Sequence, residues 1–190
     1  MIRSISTLGV CLLLGGGALV ETQNRPALKD VFKDAFAIGT AVNNVIVSGR
    51  DPESRDLVLR HFASITPDNV MKAGPLNPRP GEFNFGPADA FVAFGEAHGM
   101  FIVGHTLVWH NQTPAWFFQD ASGKPNPPAA QIERMRTHIE TVAGRYKGRV
   151  HAWDVVNEVI DNDGSYRPTS WVNAVGHGDE LVKAAFRFAS

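Results

Sequence analysis

A chain of 190 residues with a net charge of −1 and 44% hydrophobic residues can bury one sizeable core. Its basic and acidic residues are scattered, which argues against nucleic acid or an anionic membrane as a partner and against a disordered acidic tail. Cys11 is the only cysteine, so a disulfide framework is excluded.

Residues 1–20 differ from the rest. Arg3 gives a positive start, Leu8 to Val20 is apolar with a Gly15-Gly16-Gly17 break, and small residues stand near Ala18. This pattern predicts a cleaved secretory signal and a secreted domain over 21–190, extracellular or periplasmic. The apolar run is shorter than the ~20 residues a membrane span needs, so no stable membrane association is expected after cleavage. An uncleaved N-terminal anchor is the alternative. Cys11 lies inside this segment, which leaves the mature domain without a thiol catalyst.

From there on, strand-like and helix-like runs alternate. The first strand candidate is Phe36 to Val42, followed by a helix opened by Asp51-Pro52, a capping residue before proline. The second strand candidate is Ala63 to Thr66. Its helix opens at Pro87, presents Phe91, Phe94 and Ala97, and stops at Gly99. Met100 to Trp109 is the third strand candidate, and Ile132, Met135, Ile139, Val142 and Tyr146 mark the helix after it. The fourth pair is Val150 to Val156 with a helix holding Leu181, Val182, Ala185 and Phe186. Most of these strands are apolar on both faces, as buried parallel strands are. Four βα units in a row predict a parallel α/β fold, either an open doubly wound sheet or a (β/α) barrel. Eight such units would take about 300 residues, near the size of a (β/α)₈ barrel. The first strand is followed by Thr40-Ala41-Val42-Asn43-Asn44, without the glycine pattern of a nucleotide-binding sheet.

Parallel α/β folds place their chemistry at the carboxyl ends of the strands. Here those ends read Thr66-Pro67-Asp68-Asn69-Val70-Met71-Lys72, Gly104-His105-Thr106-Leu107-Val108-Trp109-His110-Asn111-Gln112 and Trp153-Asp154-Val155-Val156-Asn157-Glu158. Carboxylates, amides, a lysine, two histidines and indoles suit sugar hydroxyls and the apolar faces of sugar rings. His105 and His110 are five apart, so an ideal strand sends them to opposite faces, and no metal site is expected. His105 and Trp109 share a face. Core packing explains Trp153. Taken alone, Lys72 reads as a surface lysine, and Glu158 as a helix cap or one half of a surface ion pair. Adjacent Asn157 and Glu158 enter one cleft only if the strand ends or bulges there.

These motifs resemble glycoside hydrolase family ten, the β-1,4-xylanases on a (β/α)₈ barrel. The carriers are the three strand ends above, Pro114, the run Gly81-Glu82-Phe83-Asn84-Phe85, Ala88-Asp89 and Gly99-Met100, in order over roughly residues 28–190. The resemblance implies Glu158 as general acid/base. It implies Asn157 at the 2-hydroxyl of the sugar being cleaved, with Lys72, His105 and Trp109 lining that subsite. Asn69 and Gln112 would meet the next sugar, and Asp68 the distal one. Two positions depart from the family: Asp68 stands where it usually has glutamate, and Ala73 where it often has a bulkier residue. The resemblance also implies a cis peptide at His105-Thr106, a retaining mechanism, no cofactor, and a xylan or xylo-oligosaccharide substrate. The family's second carboxylate, a seventh-strand glutamate, is expected beyond Ser190, so that only about the first four βα units stand in this chain. The competing expectations are a glycosidase for another β-linked glycan and a non-catalytic carbohydrate-binding half-barrel.

Overall fold

Four parallel strands form one sheet in the order β1-β2-β3-β4, each reached from the last through helical connections. The computed structural model describes residues 25–190, so the expected signal at 1–20 lies outside the described residues. A turn of helix, α1 (Leu28–Val31), precedes β1 (Gly39–Val42). Next come α2 (Asn44–Val47), α3 (Pro52–His61), β2 (Ser64–Pro67), α4 (Ala73–Leu76) and α5 (Gly86–Ala97). β3 (Phe101–Val108) leads through a 3₁₀ turn at Ala115–Phe117 into α6 (Pro128–Arg145). β4 (Ala152–Val156), α7 (Ser170–Val175) and α8 (Gly178–Ala189) complete the order.

The four expected strands are present, with corrected ends. β1 starts at Gly39 rather than Phe36, because Phe36 is exposed and stacks on Phe32 with ring centroids 5.1 Å apart. Pairing begins only where Gly39 meets Ser64. β4 likewise starts at Ala152, not Val150. α3 opens as expected: the Asp51 carboxylate accepts from the Ser54 N–H at 3.0 Å, and Pro52 follows it. That bond holds the Asp51 carboxyl below its ordinary pKa. α6 buries Met135, His138, Ile139 and Val142, a spacing of three and four that keeps one face on the sheet.

The two faces of the sheet differ. Ile65, Ile102 and Val155 point toward the helices and are buried. Between them alternate Ser64 and Thr66, paired with Gly39 and Ala41, then Phe101 and Val103, then Ala152 and Asp154, none of them buried. Trp153 packs on the helix side against the core and over Gly104, where a Cβ would lie 2.2 Å from the indole. Core packing is therefore what Trp153 does.

Two arginines tie α5 to the end of α6. Arg145 donates to both oxygens of Asp89, at 2.9 and 2.6 Å, and Arg149 donates to both oxygens of Glu96 at 2.7 Å. Tyr146 donates its hydroxyl to Asp89 at 2.9 Å. The Arg145 guanidinium is the main cause of the lowered Asp89 pKa, while burial first and Asp89 second push the Tyr146 hydroxyl up.

Beneath α6 lies an aromatic layer. Phe117 meets the His138 ring edge-on at 5.6 Å and Trp171 at 5.4 Å, and Phe83 stands parallel to His138 at 6.4 Å. His138 is 2% exposed, and neither ring nitrogen has a hydrogen-bond partner. Burial alone drives its pKa down to about 4. An apolar cavity of about 380 Å³ beside it runs between Pro80, Phe83, Trp116 and α6, away from the strand ends. Among the described residues, no helix is long and apolar enough to cross a membrane.

Candidate active site

The strands stop where the polar residues begin. β2 ends at Pro67, and the Asp68 N–H still bonds to the Val42 carbonyl at 2.9 Å. The chain then turns through Asn69 so that Lys72 comes back beside it. Asn69 is the hub: its Oδ1 accepts from Lys72 Nζ at 2.9 Å and from Gln112 Nε2 at 3.2 Å, and its Nδ2 donates to Asp68 Oδ2 at 2.9 Å. The surface-lysine reading fails, because Lys72 is only 8% exposed. Its ammonium lies 4.8 Å from the centre of the Trp109 ring. With one amide oxygen and an aromatic face as its neighbours, the charge is held without a carboxylate ion pair among the described residues. Ala73 is buried at the start of α4.

β3 ends at Val108, and its pairing with β4 shifts register between His105 and Val108. The His105–Thr106 peptide is cis. His105 Nδ1 stands 2.9 Å from Asp154 Oδ2, and since an ionised carboxylate only accepts, Nδ1 carries the proton. His105 and Trp109 share a side, with rings 6.5 Å apart. Gln112 sits at φ 50° and its carbonyl accepts from the Gly74 N–H at 2.7 Å. A Cβ on Gly74 would lie 2.8 Å from that carbonyl, so only glycine lets the loops after β2 and β3 touch here.

β4 ends at Val156, which resolves the problem of two adjacent site residues. The Asn157 N–H donates to the Val108 carbonyl at 2.9 Å, and Glu158 then leaves extended geometry with φ 53°. Glu158 Oε2 accepts from the Trp109 indole N–H at 3.0 Å, and His110 Nε2 stands 3.8 Å from the same oxygen. Glu158 is thus bonded across to β3's end rather than capping a helix.

The structure brings seven of the eight expected residues into one chain of side-chain contacts: Asp68, Asn69, Lys72 and Gln112 through Trp109 to Glu158, with His105 beside Trp109. Asn157, the eighth, is placed by its backbone bond between the ends of β3 and β4. Sequence reasoning missed three partners. His110 was assigned to the opposite face from His105, but strand alternation no longer applies past Val108. Asp154 was visible, since its register opposite His105 follows from parallel pairing. Trp171, on an unforeseen helix, donates its indole N–H to the Trp109 carbonyl at 3.0 Å, and nothing in its local sequence signals that. Among the described residues no three His, Cys, Asp or Glu side chains group to hold a metal.

Parallel strands in the sequential order β1-β2-β3-β4, joined by helical connections and with polar side chains at their carboxyl ends, fit the (β/α)-barrel class, of which four strands are present here. The sequence profile of glycosyl hydrolase family 10 matches residues 27–190. The endo-1,4-beta-xylanase A of Thermotoga maritima is 44% identical over 172 residues, covering 86% of this chain and 16% of that protein. The endo-1,4-beta-xylanase B of Paenibacillus barcinonensis is 42% identical over 161 residues, covering 84% and 47%. A GH10 endoxylanase from a sugarcane soil metagenome superposes with a TM-score of 0.80 at 44% identity, covering 86% of this chain and 47% of that one. The xylanase TsXylA of Thermoanaerobacterium saccharolyticum, a mutant of which was solved with xylotriose, has a TM-score of 0.80 at 40% identity and covers 87% and 53%. This chain belongs to glycosyl hydrolase family 10. It spans about half the length of the solved chains it matches.

Proposed function

We propose that the chain supplies the acid/base half of an endo-β-1,4-xylanase active site. One observation carries this reading: the Glu158 carboxyl is anchored through Oε2 to Trp109, while Oε1 has no hydrogen-bond partner among the described residues. A carboxylic acid held by one oxygen can deliver its proton from the other. In the proposed reaction that proton goes to the glycosidic oxygen as the bond to the anomeric carbon breaks. Asn157 would receive the 2-hydroxyl of the same sugar, Lys72, His105 and Trp109 would line its subsite, and Asn69 and Gln112 would meet the next sugar, with Asp68 beyond. A retaining reaction needs a second carboxylate about 5–5.5 Å away as nucleophile. Asp154 is engaged by His105, so we place that nucleophile outside these 190 residues. Arg3 and the apolar run behind it support action outside the cytoplasm.

The test compares xylan and cellulose as substrates for the protein joined to its missing carboxylate, following the anomeric configuration of the first product by NMR. The reading expects xylan cleavage with retention. Preference for cellulose would move the substrate to another β-glycan, and inversion would remove the nucleophile from the scheme. Residues 21–190 alone should release no reducing ends from xylan above a Glu158→Gln control.

A further inference from the structure

We propose that Arg167 is the positioning residue for the Glu158 carboxyl, a role that rests on the reading of Glu158 as the acid. The reasoning starts from backbone geometry. Glu158 sits at φ 53°, where side-chain-bearing L residues are uncommon, so its surroundings must hold it there. The direction of its side chain depends on that conformation.

Arg167 makes one contact to the Glu158 carbonyl and two more to the residues that follow it. Its Nε–H donates to the Glu158 carbonyl at 3.1 Å. Nη2 of the same guanidinium stands 3.3 Å from Asp161 Oδ1. The Arg167 backbone N–H donates to the Val159 carbonyl at 2.8 Å. Ile160 and Tyr166 pair as an antiparallel bridge, and the Asp161 N–H bonds to the Ser165 carbonyl at 2.8 Å. Residues 158–167 therefore close on themselves, with Arg167 as the cross-tie. A planar guanidinium holds two acceptors in fixed directions, which a lysine ammonium cannot do.

Glu158 thus has two handles. Trp109, just past the end of β3, holds the carboxyl, and Arg167 holds the main chain beneath it. Among the described residues, the ionisable groups in contact with Glu158 are His110, from the end of β3, and Arg167, which Asp161 holds from the same loop. If the lower handle is cut, Glu158 can relax toward common φ values and its carboxyl leaves the Trp109 indole.

The Trp109 indole N–H makes this measurable in the full chain without any activity. Its NMR shift is followed against pH, and the step that disappears in Glu158→Gln is assigned to Glu158, which separates it from any step due to His110. In Arg167→Met that step should lose most of its amplitude, while the Trp116 indole, bonded to the Asn77 carbonyl away from the cleft, keeps its shift. Arg167→Lys should restore little of it, and Asp161→Asn should show a partial loss. An unchanged Trp109 step in Arg167→Met overturns the proposal. If Arg167→Met also displaces Trp116, Asp161→Asn decides, and a wild-type step there overturns it. No Glu158-dependent step in the parent chain overturns it as well. In the completed enzyme, Arg167→Met should lower kcat on xylan on the order of 10- to 100-fold with KM little changed. A coupled indole together with a Glu158→Gln enzyme that still cleaves xylan would leave the positioning intact and sink the acid reading instead.

Discussion

At the carboxyl ends of the strands both histidines have a carboxylate within reach, whereas beneath α6 the buried His138 has none. His105 faces Asp154 at 2.9 Å and His110 faces Glu158 at 3.8 Å, each with about a fifth of its side chain exposed. His138 is shut between aromatic rings with both nitrogens unbonded. One side-chain type therefore serves two ends. In the cleft, each histidine stands beside a carboxylate. In the layer, burial disfavours the second, charging proton, and the neutral imidazole acts as a flat packing piece.

The largest effect that would sharpen this contrast is on rate. Glu158→Gln in the completed enzyme should cut xylan cleavage by ~10²–10⁴-fold, with less loss on substrates carrying a good leaving group. Its thermal melting should barely move, because Glu158 is exposed and supports no packing. Reducing-end release and a melting curve on one preparation check both halves. Equal losses on both substrate types would count against proton delivery.

A smaller effect should appear in the layer, on stability rather than rate. The His138 pKa is about 4 in the folded protein against an ordinary 6.5, so the unfolded chain binds a proton that the folded one refuses. Stability should therefore be fully present above pH 6.5 and fall as the pH drops toward 4, by roughly 3 kcal/mol at most. His138→Met, close in volume and without a titrating group, should remove that fall and leave the pH 7 value within about 1.5 kcal/mol. Urea unfolding from pH 7 to 4 measures it. Parallel pH curves for parent and variant would mean that His138 finds a partner in solution, and the contrast would fail.

The smallest effect concerns a buried polar group that does have a partner. Tyr146→Phe deletes one bond to Asp89, which keeps both bonds from Arg145, so the cost should be about 1 kcal/mol in urea unfolding. A loss of 3 kcal/mol or more would show that the hydroxyl holds the Asp89–Arg145 pair in place.

The strands and long helices were legible in the sequence because their apolar spacing reports burial directly. α6 shows this best, since Met135, Ile139 and Val142 face inward as their spacing requires. The four-residue helices α1, α2 and α4 are too short to carry a period. α7 was missed although Thr169 caps it by accepting from the Val172 N–H, because six residues with one large apolar group, Trp171, also read as loop. At the cleft, motif resemblance named residues whose local pattern was ambiguous: Lys72 has the chemistry of a surface residue and a buried position. His110 was lost because strand alternation was carried two residues past Val108. Arg167 lay in a polar stretch whose closure depends on bonds between residues nine apart, for which composition holds no signal.

The contact between Gly74 and the Gln112 carbonyl bears on how a ligand would be received. It locks the loops after β2 and β3 together, and Asn69 already accepts from Lys72 beside it and from Gln112 across that join. Ordering a long side chain on association costs roughly 0.5–1.5 kcal/mol, and here three are ordered beforehand. The entropy loss on binding is therefore smaller, and discrimination sharper: a ring of the wrong shape meets a fixed surface instead of one that rearranges to suit it.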